Sequence, residues 1–116
     1  INDSMVDVVK NNINYELKKT PKKAKKKILI CGLSYKKNVA DLRNSLAFKI
    51  FKDLSKKNNN IKGYDPLITK SNINIKNLVY SKKELSKYDV FVILTNHTIL
   101  RNQLKKLKNK IFIKPL

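Results

Sequence analysis

The 116-residue sequence has no tryptophan, two glycines, one cysteine, one methionine and one histidine, and each scarcity narrows what the chain can be. A single cysteine cannot form an internal disulfide, which excludes a disulfide-stapled scaffold and favours a reducing, cytoplasmic setting. No apolar run approaches the roughly 18–20 residues that a membrane-spanning helix needs, and the first residues carry no signal-peptide pattern. No membrane partner and no metal site are expected. Acidic residues are also few, 8 against 27 Lys and Arg, which leaves a formal net charge of +19.

That charge points on its face to a nucleic acid or another anionic surface. The residues that carry it argue otherwise. Arg43 and Arg101 are the only arginines, whereas base-reading proteins favour the bidentate guanidinium and single-strand binders add stacking aromatics. Lysine abounds together with asparagine and isoleucine, while glycine and alanine are rare. The enriched three share A/T-rich codons, so a compositional bias accounts for the charge without a nucleic-acid partner. A basic nucleic-acid-binding module stands as the alternative reading.

The length suits one core, and a hydrophobic content of 41% is too high for a disordered chain. Met5, Val9, Ile13 and Leu17, with Val8 beside them, form an apolar stripe that predicts a helix over residues 4–18, with Asp3 or Ser4 as N-cap. Such a stripe packs on something, and its partner is expected upstream: the chain opens on Ile1 rather than Met, with residues that already read as helix. Residues 19–27 form a Lys-rich, Pro-broken linker.

From residue 28 the pattern alternates. Short strands are expected at Ile28–Cys31, Ile61–Tyr64, around Leu78–Tyr80, at 89–95 and at Lys110–Ile113. Helical spacing falls at Ser45–Lys56, after Ser81, and over about 97–108. Residues 67–77 read as irregular. This is an α/β, Rossmann-like three-layer domain with a parallel sheet of about five strands, preceded by an N-terminal helix. In such sheets ligands sit beyond the carboxyl ends of the strands, which singles out the loops after Cys31, Tyr64, Thr95 and Ile113.

Cys31 stands in the apolar run Ile28–Cys31 and reads as a small buried core residue rather than a nucleophile, which would need exposure and a base. Nothing in the sequence pairs it with His97. No catalytic residue is therefore expected in this chain.

The loop after the first strand is the informative one. A dinucleotide fingerprint would place three glycines there, but only Gly32 is present, with Ser34 and Lys37 in the other two places. Side chains take over instead: Tyr35, Lys36, Lys37, Asp41 and Arg43. An ammonium and a planar guanidinium suit phosphate oxygens, Asp41 is placed to orient either cation, and Asn44 or Ser45 to cap the next helix. An anion-binding loop and a solvent-exposed polar turn both fit these residues.

The wording of Gly32-Leu33-Ser34-Tyr35-Lys36-Lys37-Asn38-Val39-Ala40-Asp41-Leu42-Arg43-Asn44-Ser45 resembles the opening motif of the C-terminal domain in the UDP-glucose/GDP-mannose dehydrogenase family. Tyr64-Asp65-Pro66, the strand before Thr95-Asn96-His97, and Ile1-Asn2-Asp3-Ser4-Met5 are similar to further stretches of that family in the same order. The resemblance implies a UDP-sugar-binding domain of an NAD-dependent nucleotide-sugar 6-dehydrogenase, which oxidises the sugar C6 alcohol to a carboxylate. Residues 1–18 would then end a long helix from a central domain, 19–27 a linker, and 28–116 the UDP-sugar-binding domain.

By the same resemblance Tyr35 and Lys36 contact the UDP-sugar and Arg43 reaches NAD held mainly by an N-terminal domain. Gly32, Asn38, Asp41 and Ser45 shape the loop. The catalytic cysteine, catalytic lysine and glycine-rich NAD turn belong to upstream domains, so this chain alone is expected to be inactive, and the full-length protein a homo-oligomer. The Tyr-Lys-x-Asn-Val wording leans toward N-acetylated UDP-hexosamines over UDP-glucose. Two departures stand out: Leu46 follows the motif's last Ser where Pro is usual, and Lys114-Pro115-Leu116 replaces a turn whose Arg contacts substrate. A truncated, non-functional remnant of such an enzyme is a further reading.

Overall fold

The computed structural model describes residues 3–21, 26–71 and 73–116. The elements run α1 (Asp3–Lys19), β1 (Ile28–Cys31), α2 (Leu46–Lys57), β2 (Ile61–Tyr64), β3 (Leu78–Val79), a 3-10 turn (Lys82–Lys87), β4 (Val90–Ile93), α3 (Thr98–Leu104) and β5 (Ile111–Ile113). All five strands are parallel in the order β3-β2-β1-β4-β5. The order reverses between β1 and β4, so the loops after these two strands diverge and leave a crevice at the carboxyl edge.

Alternation within β1 sorts the core into two halves, because successive side chains point to opposite faces of a strand. Ile28 and Ile30 pack with Ala47, Ile50, Phe51 and Leu54 of α2, whereas Leu29 and Cys31 pack with Leu85, Leu100 and Leu104. The central strands β1 and β4 are buried along their whole length, as strands covered on both faces must be. Gly63 in β2 marks a close approach: a Cβ there would lie 2.6 Å from the Phe51 ring.

The N-terminal helix joins this core. Val6, Val9 and Ile13 are buried against it and Leu17 is partly buried, while Lys10 Nζ reaches Asp53 of α2 at 3.3 Å. The buried stripe is therefore Val6-Val9-Ile13-Leu17. Met5 and Val8, expected within it, are 45% and 52% exposed. At 100° per residue Met5 and Val6 flank Val9 on opposite sides, and the Val6 side, which continues through Ile13 and Leu17, is the one turned to the core. Asp3 and Ser4, expected as the N-cap, both lie within the helix, and the residues before Asp3 lie outside the described residues. Residues 22–25 of the Lys-rich linker lie outside the described residues.

Other boundaries moved by small amounts. Strand β4 is shorter than the apolar run that announced it, and α3 ends at Leu104 rather than near 108. Ser45 caps α2 by accepting from the Phe48 N–H, and Ser81 caps the 3-10 turn. In this glycine-poor chain, asparagine takes the left-handed backbone positions: Asn38, Asn44, Asn77 and Asn109 have φ of 63°, 55°, 70° and 61°. Asparagine tolerates that region better than other residues with a Cβ.

Candidate functional site

The site is built where β1, β2 and β4 end side by side. Gly32 continues β1 between its neighbours: its N–H donates to the Tyr64 carbonyl at 2.9 Å, and its carbonyl accepts from Thr95 N–H at 3.1 Å. Its φ is +79°, and a Cβ would collide with the Thr95 backbone. The space over the glycine is thus filled by protein. The close approach of the Thr95 backbone is why this position takes glycine, and the next two places of a dinucleotide fingerprint carry the side chains of Ser34 and Lys37.

Beyond Gly32 a buried polar cluster ties three loops together. Asp65 Oδ2 accepts from Leu33 N–H (2.9 Å), Ser34 N–H (3.0 Å) and Ser34 Oγ–H (2.7 Å). His97 Nε2 lies 2.9 Å from the same oxygen, and both side chains are fully buried. Asp65 Oδ1 accepts from Leu67 N–H at 2.9 Å. Burial opposes the charge on Asp65, but the hydrogen bonds from His97, Ser34 and Leu67 outweigh it and hold the carboxyl below its ordinary value. Thr95 Oγ adds a bond to the Ser34 carbonyl at 2.6 Å.

The second nitrogen of His97 reaches back to the loop. Nδ1 accepts the Asn38 N–H at 2.7 Å, so the ring carries its proton on Nε2, facing Asp65. Asn38 in turn grips α3: its Oδ1 accepts from Thr98 N–H at 2.9 Å and its Nδ2 donates to Thr98 Oγ at 3.2 Å. Tyr35, Lys36 and Lys37 therefore form an arch with pinned ends, Ser34 on Asp65 and Asn38 on His97 and Thr98. Inside the arch Tyr35 N–H donates to the Asp41 carbonyl at 2.6 Å.

Tyr35 is 59% exposed and stands between two clefts of about 310 Å³ each. Lys36, Lys37, Thr95, Asn96 and Leu116 line one. Asp41, Arg43 and Asn44 line the other. Lys36 and Arg43 thus face separate clefts. Of the two cations, Asp41 orients Arg43, accepting from Nε and Nη2 at 3.1 Å each and from the Arg43 N–H at 2.9 Å. Those hydrogen bonds lower the Asp41 carboxyl and raise the Arg43 guanidinium. The Arg43 side chain is 88% exposed, which leaves its outer edge free for a ligand. Ser45 is buried, donates to the Leu33 carbonyl at 2.6 Å and caps α2, so it closes the loop from inside.

Lys114 lines a third cavity, about 340 Å³, with Arg101, Lys105, Phe112 and Asn96. Asn96 also lines the Lys36 cleft, and its Oδ1 is buried without a hydrogen-bond partner. Cys31 is fully buried, and that burial, then the charge of Asp65, pushes its thiol well above the ordinary range. It is a core residue. Sequence reasoning assigned no role to Ser34, Asp65 or His97. The available signal was topological: residues just past β2 and β4 must meet beside the end of the strand between them.

A doubly wound parallel domain with a cationic, side-chain-built loop at its topological switch point belongs to the class of nucleotide-binding α/β domains. The UDP binding domain model of the UDP-glucose/GDP-mannose dehydrogenase family matches residues 29–116, and the chain belongs to that family. Among its relatives are the UDP-N-acetyl-D-mannosamine dehydrogenases of Methanococcus vannielii (32% identical, covering 97% of this chain) and Methanococcus maripaludis (34%, covering 96%). The chain spans 27% of the length of each. In fold it is similar to the solved UDP-N-acetyl-mannosamine dehydrogenase of S. aureus, with a TM-score of 0.67 at 23% identity over 96% of this chain and 26% of that one. No helix among the described residues is long and apolar enough to cross a membrane.

Proposed function

We propose that this domain holds the UDP-sugar of an NAD-dependent nucleotide-sugar 6-dehydrogenase, with Tyr35 and Lys36 on the substrate and Arg43 turned toward the cofactor. The observation that carries this reading is the pinned arch at the switch point, where Tyr35 divides a Lys36 cleft from an Arg43 cleft. An ammonium on a flexible stem suits the diphosphate as a point charge, and a guanidinium already oriented by a carboxylate suits a second phosphate group.

NAD supplies the hydride acceptor for oxidation of a sugar alcohol. The β1 turn lacks the three glycines of a dinucleotide fingerprint, which supports a reading in which NAD is held mainly by a separate domain, with Arg43 as this chain's contribution. Residues 1–18 then lead from a central domain, 19–27 link, and 28–116 bind the UDP-sugar. The family's nucleophile and base lie outside this chain, so the 116 residues alone turn over no UDP-sugar. The relatives' names favour a UDP-N-acetylhexosamine as the substrate, in agreement with the Tyr-Lys-x-Asn-Val wording of the loop.

Isothermal titration with UDP tests the reading. Saturable binding that weakens in Lys36→Ala supports it. No binding at millimolar UDP, together with no effect of Lys36→Ala, overturns it.

A further inference from the structure

We propose that His97 is a positioning residue that sets the pose of the Tyr35–Lys37 arch, with Asp65 fixing the tautomer that lets it do so; here Tyr35 and Lys36 are taken as the ligand contacts proposed above. The arch has no regular secondary structure to hold it, and its three side chains project to solvent. Its start is fastened by Ser34, whose N–H and hydroxyl both donate to Asp65 Oδ2. Its end is fastened by the Asn38 N–H donating to His97 Nδ1 at 2.7 Å.

That second bond depends on the proton at the far side of the ring. Only the Nε2–H tautomer leaves a lone pair on Nδ1, and Asp65 Oδ2, 2.9 Å from Nε2, selects that tautomer. One carboxylate oxygen therefore fixes both ends of the arch, directly at Ser34 and through the imidazole at Asn38. Asn38 has φ of 63°, a conformation that its two bonds to Thr98 and the one to His97 together maintain. Fixing the arch before the ligand arrives removes an ordering cost from binding.

Two conservative variants separate positioning from mere packing. In His97→Asn the amide oxygen stands near the position of Nδ1 and keeps an acceptor for Asn38, but the donor to Asp65 is lost. In His97→Gln the amide nitrogen stands near the position of Nε2 and keeps the donor, but the acceptor is lost. Positioning predicts opposite rankings. His97→Gln is the more stable to heat and the weaker binder of UDP; His97→Asn is the less stable and the better binder. If the released arch is correctly posed in about one chain in ten, the apparent Kd of His97→Gln rises about tenfold.

Affinities that rank in the same order as stabilities, or that stay at the wild-type value in both variants, overturn the proposal. Should the His97 variants not fold, the ring 15N shifts of His97 in the wild-type chain serve instead. A proton on Nε2 with a bare Nδ1 supports the proposal, and a proton on Nδ1 overturns it. Failure of the wild-type chain to bind UDP would refute the ligand reading alone. Positioning is then decided by 15N relaxation of the residue 35–37 amides, which lose order in His97→Gln if it is right and keep it if it is wrong.

Discussion

His97 Nε2 lies 2.9 Å from Asp65 Oδ2 with both side chains shut away from solvent, and this one contact joins the loop after β4 to the loop after β2 across the end of β1. The carboxylate it serves takes four donors on one oxygen and a fifth on the other. Such saturation is what makes a buried charge tolerable.

Asp65→Asn is expected to lower the unfolding free energy by about 1–3 kcal/mol, because an amide cannot accept from donors on both of its atoms. Whichever way it turns, an N–H of the amide faces an N–H or O–H of the loops. Urea denaturation measures the loss, and a stability equal to that of the parent would show that the cluster contributes nothing.

Stability should fall on the acid side. Asp65, Asp53 and Asp41 all have carboxyls held below their ordinary values in the fold. A depressed folded value means that the unfolded chain binds the proton first. Their contribution is therefore complete above the unfolded carboxylate value of about 4 and is lost as pH falls from there through the lower folded values. Melting curves between neutral pH and about pH 3 should show the decline, and Asp65→Asn should shallow it. An identical acid limb in that variant would count against Asp65.

The N-terminal helix offers a test by faces. Ile13→Ala removes a fully buried side chain and should cost about 2–5 kcal/mol. Met5→Ala and Val8→Ala, on the exposed side of the same helix, should stay within about 0.5 kcal/mol of the parent. Equal losses at Ile13 and Val8 would mean that α1 is not seated on α2 as described.

Cys31 should be silent toward a thiol reagent such as Ellman's in the folded chain and react fully in denaturant, because its thiolate is disfavoured by burial. Stoichiometric labelling of the native protein at neutral pH would return it to the list of reactive groups.

Much of this was legible in the residues. The strand Ile28–Cys31 falls where its apolar run lies, since a short buried strand needs a continuous apolar stretch, and Ile61–Tyr64 falls between the breakers Asn58-Asn59-Asn60 and Asp65-Pro66. Helix α1 was legible as a helix but not in its facing. Met5 and Val8 are as hydrophobic as Val6, and only the shape of α2 and the sheet beneath decided which of two adjacent stripes was buried. The site divided in the same way. Tyr35, Lys36, Asp41 and Arg43 stood together in one loop, and the Asp41–Arg43 pair formed between residues two apart. The pairing of Asp65 with His97 spans 32 residues and was invisible, although both motifs that contain them had been singled out.

The sequence by itself determined the alternation of strand and helix, the want of glycines that sets the β1 turn apart from a dinucleotide fingerprint, and the cationic side chains that stand in their place. These are properties of neighbours along the chain, set by periodicity, local backbone preference and composition. The tertiary structure alone decided that the ends of β1, β2 and β4 meet, and so that Ser34, Asp65, His97 and Asn38 form one network. The physical reason is strand order: β2 and β4 each pair with β1, which brings residues 31 to 59 positions apart within hydrogen-bond reach at the edge where the sheet reverses.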